Sequence, residues 1–109
     1  MIKIESQPKP NWAILSKPGC ENVEFRVLLG SDGILLANLR LSENGTIDEH
    51  DAPHEIDVVC VSGSGFTSIG TETFPIEAGQ TVRWPRDTKH RLWTASSQME
   101  TIMVERYDS

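Results

Sequence analysis

Only three histidines occur in the chain, and two of them, His50 and His54, flank a short acidic segment that contains a proline. That segment reads Gly45-Thr-Ile-Asp-Glu-His50-Asp-Ala-Pro-His54-Glu-Ile-Asp57. The third, His90, closes the stretch Gly79-Gln-Thr-Val-Arg-Trp84-Pro85-Arg-Asp-Thr-Lys-His90. Imidazoles with carboxylates can grip a divalent transition metal, and imidazoles alone can line a polar pocket. In an extended strand, side chains two apart share a face about 6.6 Å apart. His50 and His54 would then stand about 13 Å apart, too far to share an ion. Asp51-Ala52-Pro53 can turn, because Pro53 cannot sit in a regular ladder. Such a turn folds His54 back or brings Glu55 or Asp57 inward, since a one-residue slip flips every side chain of a strand.

These side chains must be positioned by strands. Turn signals such as Ser31-Asp32-Gly33, Glu43-Asn44-Gly45, Gly63-Ser64-Gly65 and Ala78-Gly79-Gln80 recur along the chain. The segments between them are rich in β-branched and aromatic residues, which points to an all-β sandwich or barrel. Leu35, Ala37, Leu39 and Leu41 alternate with Asn38 and Arg40, a strand with one buried and one solvated face. Strands are expected near 12–16, 23–30, 34–42, 46–50, 56–62, 66–69, 73–77, 80–85, 89–95 and 99–107. About ten short antiparallel strands do not remain one flat sheet, so a closed barrel or jelly roll follows. Residues 1–15 read as an N-terminal arm and edge strand, and 16–109 as one barrel domain.

The chain has 109 residues, with 16 acids against 10 bases and a formal net charge of −6. That balance argues against a nucleic-acid partner, which needs a basic footprint. No window approaches the ~18 consecutive apolar residues of a membrane helix, and the N-terminal residues do not resemble a signal peptide. A cytoplasmic location is the expectation. Cys20 and Cys60 are too few for a disulfide framework, and Cys60 sits in an apolar run as a small buried hydrophobe.

The segment Gly79, Pro85, His90 resembles the second cupin motif in its spacing. Asp87 replaces that motif's usual glycine, and Thr94 its usual asparagine. Gly45, His50 and the Gly63-Ser64-Gly65 segment, expected as a hairpin, resemble a degraded first motif. The resemblance spans roughly residues 34–106. It implies an antiparallel double-stranded β-helix, the cupin-like jelly-roll barrel. It also implies a divalent metal on His50 and His90. The family's middle histidine falls on Ala52 and its glutamate on Ile56, so His54, Glu55 and Asp57 are the candidates to complete the set. Mixed nitrogen and oxygen ligands would suit zinc, iron, manganese, nickel or copper.

Trp84, Cys60, Leu92 and Met103 are candidate pocket residues, with core packing as the alternative. If His90 faces inward, so do Leu92 and Thr94, while Arg91 and Trp93 face out. Trp93 or Trp12 would then anchor a homodimer, unless its own chain covers it. Arg26 and Arg83 would clamp a carboxylate only if they faced inward. Two functions follow. One is a metal-dependent enzyme, such as an oxygenase or isomerase. The other is a metal-free module that binds or senses a small molecule.

Overall fold

The structure, a computed structural model, describes residues 11–107. The first ten residues of the expected arm lie outside the described residues. The described residues form eight strands: β1 (Ala13–Ile14), β2 (Cys20–Ser31), β3 (Ile34–His50), β4 (Glu55–Ile69), β5 (Glu72–Glu77), β6 (Thr81–Trp84), β7 (His90–Trp93) and β8 (Met99–Arg106). All their pairings are antiparallel. β1 is a two-residue strand at the edge, against Phe25 and Glu24 of β2.

Two long strands make the barrel. β3 pairs with β2 in both halves, while its first half also pairs with β8 and its second half with β7. The first half of β4 pairs with β6 and β8, and its second half with β5 and β7. Hydrogen bonding therefore runs β3–β8–β4–β7 and back to β3, closing the jelly-roll barrel that the turn spacing implies. Closure leaves these four strands no free edge.

Fewer strands form than the turn signals suggest, because two of the expected turns are corners inside strands. Residues 34–42 and 46–50 are one strand, bent at Asn44, whose φ is 56°. Thr94 Oγ1 accepts from the Gly45 amide at 2.9 Å and donates to the Ser42 carbonyl at 2.6 Å. The Asn44 amide bonds the Ala95 carbonyl at 2.8 Å. With its backbone groups satisfied by the neighbouring loop, the chain bends there without leaving the sheet. Likewise Gly63-Ser64-Gly65 is not the expected hairpin. It lies within β4, after a register shift between Cys60 and Ser62.

Alternation places Val58, Cys60, Leu92, Leu41 and Met99 in the core, each at most 2% exposed. One residue breaks the expected pattern. Asn38, assigned by alternation to the solvated face, is buried. Its amide donates to the Thr101 carbonyl at 2.9 Å and its Oδ1 accepts from Arg26 Nε at 3.1 Å. Those bonds offset the cost of burying a polar group. Arg26 is thereby held outside the barrel, where Trp12 lies 4.3 Å from its guanidinium and 4.1 Å from that of Arg40. Trp93 is half-buried, stacked on Phe66 with centroids 5.8 Å apart and covered by Arg91 at 4.3 Å.

Gly63 has φ +75°, and a Cβ there would collide with the Gln98 carbonyl. Gly79 has φ +92° but open space around it. Gly63→Ala should therefore lose about 3 kcal/mol or more, combining backbone strain with overpacking. Gly79→Ala should lose only about 1 kcal/mol, the left-handed backbone term. Urea unfolding of the two variants checks this, and equal losses would contradict the placement of Gly63.

Candidate functional site

Period two alone would not put Ile47 and His50 on the same face. The pairing of β3 with β7 slips between them, so that Ile47 opposes Leu92 and His50 opposes His90. A bulge of this kind re-aims the side chain that follows it. As a result the two imidazoles meet inside the barrel, with Nε2 atoms 3.2 Å apart and ring centroids 4.4 Å apart at 84°. His90 is fully buried, whereas His50 is exposed toward a cavity.

Trp84 fixes His90 from the other side. Its indole stacks on the His90 ring with centroids 4.0 Å apart and planes 10° from parallel. The indole Nε1–H donates to Thr67 Oγ1 at 2.9 Å, and that hydroxyl donates to the Arg91 carbonyl at 2.8 Å. With every donor in this chain placed, the stacked plane has one orientation.

The hydrogen bonds also assign the tautomers. His50 Nδ1 lies 2.8 Å from the Asp48 carbonyl, which can only accept. The neutral His50 proton therefore sits on Nδ1, and its Nε2 presents a lone pair. With His50 neutral, the proton that separates the two nitrogens at 3.2 Å belongs to His90 Nε2. His90 Nδ1 is then a bare acceptor. It is buried with no hydrogen-bond partner, although the Thr88 backbone favours the protonated ring. Burial, followed by the neighbouring His50, nevertheless holds the His90 pKa down at about 4.

A cavity of about 540 Å³ opens beside this pair. Phe25, Leu39, Ile56 and Met103 form much of its apolar wall, and Trp84 and His50 stand at its polar part. Asp48, Glu49 and Glu105 also line it. Of the expected pocket residues, Trp84 and Met103 face this cavity. Cys60 and Leu92 do not; both are core. Burial raises the Cys60 thiol pKa.

The remaining candidate ligands go elsewhere. Glu55 and Asp57 stand on the outer face of β4, because Ile56 and Val58 point inward. Asp57 accepts from Arg83 Nε at 2.9 Å and also bonds Arg106. Arg83, foremost, holds the Asp57 carboxyl below its usual pKa. Glu55 lies 3.2 Å from Arg83, which is thus an outer-face partner and no cavity clamp. His54 turns to Glu105, with Nε2 to Oε1 at 2.9 Å, and packs on Tyr107. Sequence reasoning missed Glu105, although Met99, Thr101, Met103 and Glu105 form one period-two face that alternation would have flagged.

Two imidazole nitrogens 3.2 Å apart match an edge of a tetrahedral metal shell, about 3.3 Å for zinc–nitrogen bonds. Among the described residues, however, no group of three or more His, Cys, Asp or Glu side chains could hold a metal ion. Ala52 and Ile56 are apolar where the family's two further ligands would stand. The donor set therefore supplies half of such a centre and does not complete it.

The architecture matches solved structures along nearly its whole length. A polyketide cyclase, RemF, from Streptomyces resistomycificus superposes with a TM-score of 0.85 at 21% identity, covering 98% of this chain and 80% of that one. A cupin-2 domain protein from Rhodospirillum rubrum gives 0.82 at 13% identity, covering 97% and 77%. A predicted oxalate decarboxylase from Thermotoga maritima gives 0.77 at 19% identity, covering 97% and 98%. No protein-family model matches the sequence, and no curated protein matches it. The chain thus has the fold of a small cupin-type barrel. Likenesses this distant establish the fold, and function must be argued from the site.

The depressed His90 pKa sets a pH dependence. An unfolded histidine titrates near 6.5 and the folded one near 4, so the unfolded chain takes up the proton first as pH falls. The stability tied to neutral His90 is full above pH 6.5, is lost between 6.5 and about 4, and changes no further below. It amounts to about 3 kcal/mol across that window. Urea unfolding at pH 7 and pH 4.5 should show a larger loss for the wild type than for His90→Gln. Equal losses would contradict a neutral His90.

Proposed function

We propose that this barrel binds a small organic molecule with a largely apolar body, and that the His50–His90 pair meets its polar end without a metal. The observation that carries this reading is the 540 Å³ cavity itself, apolar along Phe25, Leu39, Ile56 and Met103, with His50 exposed at one side. Its size and its mixture of apolar wall and few polar groups are those of small-molecule sites. Neutral His90 cannot easily take a proton, because burial opposes the charge. His50 is the ring of the pair that faces the cavity, so it can hydrogen-bond the ligand or exchange a proton with it. The solved structures of like fold include a polyketide cyclase and a predicted oxalate decarboxylase, so this barrel shape is compatible with enzymatic chemistry as well as with binding.

A second reading is favoured by the 3.2 Å separation of the two Nε2 atoms. In it, a divalent transition metal replaces the shared proton on His50 and His90, and the His90 proton moves to Nδ1 beside Thr88. The bound organic molecule would supply further ligands, since the described residues supply none. The enzyme expected from the family resemblance, an oxygenase or isomerase, depends on this second reading.

Elemental analysis of untagged protein made without added metal separates the two. The metal-free reading expects well under one transition-metal ion per chain, and 1-naphthol shifting the amide signals of Phe25, Leu39 and Ile56. His50→Ala should weaken that binding about tenfold, and should also cost about 1–3 kcal/mol of stability because it leaves the buried His90 Nε2–H without its acceptor. A near-stoichiometric metal, lost in both His50→Ala and His90→Ala, would overturn it in favour of the second reading.

A further inference from the structure

Within the cavity lining, beside Met103 and Ile56 of the apolar wall, stands an acid that the His50–His90 pair does not use. Glu105 lies on β8 between Leu35 of β3 and Ile56 of β4, on the inner face with Met103. A carboxylate at such a position loses water and needs compensation. His54 provides it, with Nε2 2.9 Å from Glu105 Oε1. His54 is itself buried and fixed by Tyr107, whose ring centroid is 4.4 Å away. This geometry commits Oε1 of Glu105 to His54 and leaves Oε2 to face the cavity, in a side chain still 23% exposed.

We infer that Glu105, held by His54, is the acceptor that reads a hydrogen-bond donor on the cavity ligand, so that the site takes hydroxyl- or ammonium-bearing apolar molecules and rejects carboxylates. The inference rests on the ligand-binding reading of the same cavity. An ionised carboxylate accepts hydrogen bonds and donates none. A phenol or ammonium entering the cavity can donate to the open oxygen, a charge-assisted bond stronger than a neutral one. A ligand carboxylate would meet a like charge at Glu105 and no donor from it. Asp48 and Glu49 add two more acids to the cavity lining, against Lys17 as its only lysine or arginine among the described residues. The field inside therefore has the same sign as the contact. His54 acts as a positioning residue, since it orients the carboxylate without lining the cavity.

The test uses three probes with one ring system: 1-naphthol, 1-naphthylmethylamine and 1-naphthoate. Their dissociation constants are measured on the 109-residue chain at pH 7.5 by titration of amide signals. Wild type should bind the alcohol and the amine at least tenfold more tightly than the carboxylate. Glu105→Gln keeps an oxygen for His54 but lacks the charge, and should shrink that preference to threefold or less by improving 1-naphthoate binding. Equal wild-type affinities overturn the inference even if the variant folds poorly. Equal affinities for all three, or a preference unchanged in Glu105→Gln, overturn the role of Glu105 while the cavity reading stands. Binding of none of the three overturns both.

Discussion

A neutral imidazole buried between a tryptophan plane and a second imidazole is the constraint on which the site depends. His90 is shut away from water, Trp84 stacks on one face, and His50 Nε2 lies 3.2 Å from its own Nε2. Burial alone would favour an apolar residue at that position. A histidine there can be tolerated only uncharged, and only if at least one of its nitrogens is satisfied. His50 supplies that partner because Asp48 has already fixed its proton on the far nitrogen. The pair is thus a fixed donor–acceptor couple with one buried member and one member open to the cavity.

The barrel exists in the form needed to bring these rings together. His50 ends β3 and His90 begins β7, forty residues apart in sequence and cross-strand partners in the fold. The meeting requires β3 to be long enough to change partners, from β8 to β7, across the corner at Asn44. It also requires the bulge after Ile47. Thr94 serves the same end by fastening the corner of β3 through the Ser42 and Gly45 backbone. The outer ion pairs of Asp57 with Arg83 and Arg106 hold β4 to its neighbours β6 and β8, leaving the inner face of β4 apolar.

Much of this was legible in the sequence. Alternation identified the inner face of the first half of β3, and the histidine, glycine and proline spacing pointed to the barrel; on β4 both faces are apolar past Asp57, so alternation could not choose between them. Other features were not readable, for local reasons. Gly45 and Gly63 carry turn signals, yet neighbouring backbone satisfies the chain at both corners and the strands run on. Asn38 sits on a face that reads as solvated, and only the three-dimensional positions of Thr101 and Arg26 reveal why it is buried. His54, Glu55 and Asp57 follow a proline whose turn could have aimed any of them inward. The strand resumed with Ile56 inside, which sent both acids out and left His54 to Glu105. Glu105 itself stood in plain view on an apolar face, where the neighbouring methionines drew the reading toward core.

Imidazole nitrogen signals at pH 6, read through long-range proton–nitrogen couplings, test the central interaction most directly. A shared proton between the rings requires His90 to be neutral with its hydrogen on Nε2, and His50, where neutral, to carry its hydrogen on Nδ1. A positively charged His90 at that pH, or a His50 whose neutral form is protonated on Nε2, would contradict it.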